Sequence, residues 1–262
     1  MVVVTVNSAY KMKEAEYVLR QSESAGVFCV EEFRGHNMLA TAKQISENLP
    51  TLKEVICFSD FEDFMNSASK PEMFPEVKPL DAAMIIYTSG TTGFPKGAML
   101  HHMGLVNYGV FESERLGMKI GGVWANPMPL FHFSGCAVSF LATIMRGGTH
   151  VLVPAFDPLS YLEIIESENV TDAFLVPTMI EALVAKFDPN KHNVMTFKNI
   201  LSGASKVEAA LVNKVSSILG CRLAIAYGQT ETHGAITQTH SDDALEDQTE
   251  TIGQPYPLIE FK

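Results

Sequence analysis

Thr88, Ser89, Thr91 and Thr92 set four small hydroxyls around Gly90, and Gly93, Pro95, Lys96 and Gly97 follow at once. Glycines let a backbone take positive φ and approach a ligand closely. Successive N–H groups in such a loop converge on an anion. The hydroxyls add short donors, and Lys96 adds a point charge suited to phosphate. This is the composition of a loop that grips a polyphosphate. It is not a Walker A loop, because Pro95 stands where that motif needs glycine before the lysine. Nor is it a dinucleotide fingerprint, because Gly90, Gly93 and Gly97 do not supply G-x-G-x-x-G. A flexible Ser/Thr/Gly linker fits less well, since a linker does not leave an apolar strand so abruptly or end in Pro-Lys-Gly.

A second group is Tyr227, Gly228, Gln229, Thr230 and Glu231. Tyr227 can stack on a purine, Thr230 can donate to a phosphate, and Glu231 offers Mg²⁺ a hard oxygen. Taken alone, the same residues read equally well as a polar strand end with one solvated glutamate. Other candidates fail. His101 and His102 are adjacent, so on a helix they face different ways and cannot chelate one metal. No G-x-S-x-G elbow or H-E-x-x-H pair occurs. The acidic run from Ser241 to Glu250 reads as a solvated loop.

These residues need elements to hold them. Ala82 to Ile86 has the length and composition of a buried strand leading into the hydroxyl loop. Strands are also expected at Val2–Val6, Val27–Val30, Glu54–Phe58, Val123–Pro127, His150–Val153, Asp172–Val176, Asn199–Leu201 and Cys221–Tyr227. Helical patterns cover Lys11–Ser24, Asn37–Asn48, His101–Met118, Phe133–Met145 and Lys206–Leu219. Asp157-Pro158 and Pro177 open two more helices, and Gly220 closes the helix before it. Asp60 to Pro79 reads as a loop with one helical turn. Strands alternating with helices predict an α/β fold of layered, mainly parallel sheets covered by helices. In such sheets ligands bind beyond the carboxyl ends of strands.

The chain has 262 residues, 47% of them hydrophobic, enough for substantial cores. Its net charge of −11 argues against nucleic acid or an anionic membrane surface as partner. Cys29, Cys57, Cys136 and Cys221 are far apart, with no zinc spacing, and read as reduced, mostly buried thiols. The amino terminus lacks a basic signal-peptide region, and the most apolar segment, Cys136 to Met145, is too short to span a bilayer. The expectation is a soluble, cytoplasmic protein without an integral membrane segment. A homo-oligomer is compatible with this composition.

Tyr87 to Gly97 resembles the signature loop of the adenylate-forming (AMP-binding) superfamily, which includes acyl-CoA synthetases, beetle luciferases and the adenylation domains of peptide synthetases. Tyr227 to Glu231 resembles the family's Tyr-Gly-x-Thr-Glu. Ser202-Gly203-Ala204-Ser205 falls where the family commonly carries Gly-Gly-Ala-Pro, with Ser202 and Ser205 as departures. Pro129-Leu130-Phe131-His132 is similar to a Pro-x-Phe-His stretch that borders the acyl pocket. Gly253-Gln254-Pro255-Tyr256-Pro257 resembles the segment that opens a β-barrel subdomain. Ala98–His102, Ala155–Pro158, Val176–Met179 and Ile236–Thr239 look most like medium-chain fatty-acyl-CoA synthetases.

The chemistry this resemblance implies is a two-step ligation. A carboxylate attacks the α-phosphate of ATP with Mg²⁺, giving an acyl-adenylate and pyrophosphate, and coenzyme A thiolate then displaces AMP. The carried-over catalytic residues are Thr88, Lys96, His132 and Glu231. Ser89, Gly90, Thr91, Thr92, Gly93 and Lys96 would bind the β- and γ-phosphates. Gly203, Ala204, Ser205 and Tyr227 would frame the adenine, and Gly228 and Gln229 would belong to the same nucleotide-binding set. Thr230 would hold the α-phosphate, with Glu231 as metal ligand. Other outcomes of the same motifs are a nucleotide- or acyl-binding module without catalysis, and an enzyme that loads a carrier protein. Cys136 occupies the approximate place of a tryptophan gate in long-chain members, so a medium-length or bulky acyl group is expected. An activity profile peaking at long chains would count against it.

By the same resemblance, residues 1–120 form a first α/β subdomain, 121–241 a second, and 242–262 the start of a β-barrel. The chain reads as a fragment of the large N-terminal domain. The family's ribose-binding aspartate, hinge and C-terminal domain would fall after Lys262. The expected result is very weak ATP–pyrophosphate exchange by the purified chain, and robust exchange would refute it.

Overall fold

The computed structural model describes residues 1–67, 73–88 and 94–260. They fall into two compact units, Met1–His101 and His102–Lys262.

In the first unit, β1 (Val3–Thr5) precedes α1 (Met12–Gln21). Next come β2 (Gly26–Cys29), the short hairpin strands β3 (Glu32–Phe33) and β4 (His36–Asn37), and α2 (Met38–Asn48). Asn37 caps α2, its side-chain oxygen accepting from the Ala40 N–H at 2.7 Å. After β5 (Glu54–Cys57) the chain forms α3 (Phe61–Ser67), then β6 (Ala82–Thr88) and β7 (Lys96–His101). The stretch expected to be a loop with one turn therefore holds a seven-residue helix, whose Phe61 and Phe64 rings pack on Phe28. Strand β6 pairs in parallel with β1 and antiparallel with β7, and β2 pairs in parallel with β5. Leu19, Ile45, Leu49 and Leu52 make a small core between α1 and α2.

The second unit opens with α4 (His102–Arg115) and β8 (Val123–Asn126). A π-helical segment, Ser134–Ser139, then runs into α5 (Phe140–Met145). The sequence suggests one uniform helix there. The following elements are β9 (Thr149–Leu152), α6 (Pro158–Ser167), β10 (Asp172–Phe174), α7 (Pro177–Lys186) and β11 (Asn199–Gly203). Helix α8 (Ala209–Lys214) continues as a π turn, Val215–Leu219, and stops at Gly220, whose φ of 67° is left-handed. Last come β12 (Arg222–Gln229), β13 (Gly234–Gln238), α9 (Leu245–Glu250) and β14 (Gln254–Pro255).

Seven strands form one sheet in the order β14-β13-β12-β11-β10-β8-β9 among the described residues. The run from β9 to β12 is parallel, and β13 and β14 add antiparallel strands at one edge. Alternate strand residues point to opposite faces. Ala125, Ala173, Ile200 and Leu223 face α6, α7 and α8, packing with Tyr161, Ile165, Ile180, Leu183, Leu211 and Val215. On the other face His150 meets Phe140 of α5, and the Asn126 amide donates to the Gly135 carbonyl at 3.3 Å. Asp157 caps α6 by accepting from the Ser160 N–H at 2.9 Å, a bond that lowers its own pKa. The four cysteines are free, with Cys29, Cys57 and Cys221 buried and Cys136 half-buried.

Candidate functional site

In the first unit the hydroxyl-rich loop is the connection of an antiparallel hairpin. Thr88 ends β6 opposite Lys96, which begins β7. The hydroxyl-rich segment thus leads into a strand, and the helix starts only at His102. Ser89, Gly90, Thr91, Thr92 and Gly93 lie outside the described residues. Both rims are pinned by α1. The Tyr17 hydroxyl donates to the Pro95 carbonyl at 3.1 Å, and its ring lies 5.4 Å from Phe94. The Tyr87 hydroxyl donates to the Val18 carbonyl at 3.3 Å. Burial raises the Tyr87 pKa, so this phenol is a strut rather than an acid. A side chain at Gly97 would come within 3.0 Å of Ile85 and 3.2 Å of Tyr87. Lys96 is exposed at the rim. Nothing in the spacing of the loop marks Tyr17, which lies far upstream in sequence.

In the second unit, two predicted segments meet. Ala204 and Ser205, beyond β11, share a cavity of about 520 Å³ with Tyr227 and Gly228 of β12. Ser202 and Gly203 are part of the strand rather than a turn, and the bend comes at Ala204, with φ 67°. A side chain on Gly203 would stand 2.6 Å from the Ala226 carbonyl oxygen, which keeps the two strand ends close. Tyr227 is 54% exposed while lining the cavity. Residues Gln248 to Ile252 form the far wall. The sequence reading assigns most of them to a solvated loop. Instead α9 forms there, and its buried Gln248 donates to the Ser241 and Asp243 carbonyls at 3.3 and 3.0 Å. A second cavity, of about 660 Å³, lies by Lys198 and Gly220 before β11 and β12, and none of the predicted residues line it.

Strand β12 continues through Gln229 and turns back into β13, a partner the sequence does not announce. Thr232 locks this turn. Its hydroxyl lies 2.9 Å from the Gln229 carbonyl and 2.8 Å from that of Gly234, and accepts from the Gln229 N–H at 3.3 Å. Thr230 and Glu231 ride on the turn, Glu231 exposed. A side chain on Gly234 would overlap the Phe133 ring, so the turn lies directly against the residue after His132. The His132 Nδ1 accepts from the Ser134 N–H at 3.1 Å and lies 2.8 Å from the Ser134 hydroxyl. In the neutral ring the proton is therefore on Nε2, and partial burial lowers the pKa. Gly135 is needed beside it, because a side chain there would overlap the Pro129 carbonyl.

Among the described residues, no three His, Cys, Asp or Glu side chains are grouped to hold a metal ion. One exposed carboxylate on a fixed turn still suits Mg²⁺, which typically takes one or two carboxylates and fills its shell with phosphates and water. No helix among the described residues is long and apolar enough to cross a membrane.

The architecture is that of a known fold. It matches the inhibitor-bound N-terminal domain of FACL13 from Mycobacterium tuberculosis with a TM-score of 0.83 over 98% of this chain and 63% of that one, at 22% identity. The chain belongs to the AMP-binding enzyme family, whose model matches residues 1–262. It is 32% identical over 289 aligned positions to a putative acyl-CoA synthetase, YngI, of Bacillus subtilis, covering 100% of this chain and 53% of that protein. It is 28% identical over 298 positions to the mitochondrial medium-chain acyl-CoA ligase ACSF2 of Danio rerio, covering 100% and 48%. The chain thus spans about half the length of the curated relatives it matches.

Proposed function

We propose that the protein containing this chain is an AMP-forming acid–thiol ligase that activates a medium-length carboxylic acid with ATP and passes it to coenzyme A. The observation that carries this reading is the cavity shared by Ala204, Ser205, Tyr227 and Gly228, beyond the carboxyl end of β11 and beside the carboxyl half of β12. That is where nucleotides bind in open α/β sheets, and a cavity of this volume falls in the range of small-ligand sites. The relatives' names support the acyl-CoA product, and the ACSF2 name supports the medium chain length.

A free carboxylate is a poor electrophile with a poor leaving group, and adenylation corrects both faults. The protein's task is to align two anions and stabilise charge developing at phosphorus. Tyr227 stacks on the base while Ala204 and Ser205 border it. Thr88, Lys96 and residues 89–93 bind the terminal phosphates. Thr230 donates to the α-phosphate, and the Nε2–H of His132 faces the carboxylate. Glu231 would hold Mg²⁺, which shields the phosphate charge when bound.

Calorimetry on the 262-residue chain with an acyl-sulfamoyl adenosine tests the reading. Binding is expected, with the guanosine analogue at least tenfold weaker. Tyr227→Ala should weaken binding by roughly 5- to 150-fold, since stacking of a base on an aromatic ring contributes about 1–3 kcal/mol. Equal affinity for the two bases, or an unaffected Tyr227→Ala variant, would overturn it.

A further inference from the structure

Helix α4 carries two side chains, one turn apart, that none of the motifs use. Tyr108 is 4% exposed and Glu112 is fully buried. The Tyr108 ring packs edge-on against Phe133, with centroids 5.3 Å apart, and against Tyr256 at 6.2 Å. A side chain on Gly234 would overlap Phe133 and come within 2.8 Å of Tyr108. Tyr108 therefore touches both the loop that holds His132 and the turn that holds Thr230 and Glu231. Behind it, the Tyr256 hydroxyl bonds to Gln238 Oε1 of β13. Arg115 lies 4.8 Å from the centre of the Tyr256 ring and donates to the Gln254 and Pro255 carbonyls at 2.5 and 2.9 Å. Both Glu112 oxygens, the Tyr108 hydroxyl and Gln238 Nε2 are closed to solvent without meeting hydrogen-bond geometry.

We propose that Glu112, acting through Tyr108, is a positioning residue that sets the His132–Phe133 loop against the Thr230–Gly234 turn. Four unpaired polar atoms in one apolar interior are costly unless they satisfy one another, directly or through one buried water. A carboxylic acid offers one O–H donor and one carbonyl acceptor, which match the Gln238 amide and the Tyr108 hydroxyl. Burial pushes the Glu112 carboxyl well above the usual carboxylate range, against the opposing pull of the Tyr108 hydroxyl, and so favours the neutral acid. Tyr108 faces it from its own helix and Tyr256 from the segment across, with Arg115 beyond Tyr256. His233 packs one turn earlier, on Gly104.

The inference rests on the reading that these two segments serve one reaction, but its test does not need turnover. The readout is the backbone amide resonances of Phe133, Ser134, Thr232 and Gly234 in the unliganded 262-residue chain. Glu112→Ala should shift both pairs and Glu112→Gln should restore them. If Glu112→Ala does not fold, Tyr108→Phe serves in its place and should shift the same four. A folded variant that leaves either pair unmoved overturns the proposal. Carbon-13 resonances of the Glu112 carboxyl should show the protonated acid at pH 7, and an ionised carboxylate overturns it equally. Above the unfolded carboxylate pKa of about 4.3, the wild-type folding constant should fall about tenfold per pH unit relative to Glu112→Gln, until the folded pKa is reached. Affinity for acyl-sulfamoyl adenosine should drop about tenfold in Glu112→Ala and stay within about twofold in Glu112→Gln. No binding by the wild type would refute the ligase reading, while the amide and carboxyl resonances still decide the role of Glu112.

Discussion

Asn199→Ala is expected to cost about 3 kcal/mol of folding stability at pH 7 while leaving affinity for an adenylate analogue within about twofold. Asp172, Asn199 and Arg222 are the first residues of β10, β11 and β12 and stand side by side in the sheet. Asn199 Nδ2 donates to Asp172 Oδ1 at 2.6 Å, the Thr171 hydroxyl donates to Oδ2 at 2.5 Å, and Arg222 donates to Asn199 Oδ1 at 2.9 Å. Burial raises the Asp172 pKa, and the bonds from Thr171 and Asn199, with the Arg222 charge, pull it back down. Removing Asn199 leaves the carboxylate with one bond and the guanidinium without its acceptor. Because the folded pKa is already raised, the Asp172 contribution is largest at low pH and is lost as pH rises from about 3.9 through the folded value. The variant raises that value further. Urea unfolding should therefore give a larger penalty at pH 7 than near pH 4, and a penalty that shrinks with rising pH would contradict this account. The cavity lined by Ala204 and Tyr227 lies at the opposite end of β11, about 15 Å away by strand rise, which is why the two measurements should separate.

The α/β alternation is legible because the parallel strands are short runs followed by a turn residue or a cap, as at Asp157 and Pro177, while Gly220 stops the helix before β12. What periodicity does not show is pairing. Strand β7 (Lys96–His101) begins with a lysine and a glycine and ends in a histidine, so it reads as part of the loop and helix around it. It becomes a strand because β6 offers a free edge. Strand β13 (Gly234–Gln238) is hidden in the same way behind Thr230–His233. The π segments at Ser134–Ser139 and Val215–Leu219 change hydrogen-bond register without changing side-chain type, so a helical pattern cannot reveal them. The candidate site residues are legible as types on strand exits, whereas the residues packed around them are not. Tyr17 and the Gln248–Ile252 wall act through contacts distant in sequence, and no spacing rule points to them. The acidic run misleads because its charges face water while Gln248 alone turns inward.

Gly228→Ala should combine a stability loss of about 1–3 kcal/mol with at least a hundredfold loss of adenylate-analogue affinity. Gly228 pairs with Ala235 across the β12–β13 hairpin, directly after a register shift at Tyr227. A methyl group there would overlap the Gly234 carbonyl oxygen and the Ala235 Cα. Both are backbone atoms, so no rotamer change can relieve the clash and the strands must part. Gly234 also sits against Phe133 and Tyr108, which closes the other direction of escape. The displacement falls on Tyr227, the preceding residue and a wall of the cavity, and carries the Thr230–Glu231 turn with it. Gly220→Ala supplies the contrast. Its φ of 67° makes alanine costly by about 1 kcal/mol, but nothing lies within 4 Å of the added carbon. That variant should lose stability and keep its affinity. Equal affinity in both, measured by calorimetry with folding checked by circular dichroism, would mean that the close approach of β12 and β13 does not shape the cavity beside Tyr227.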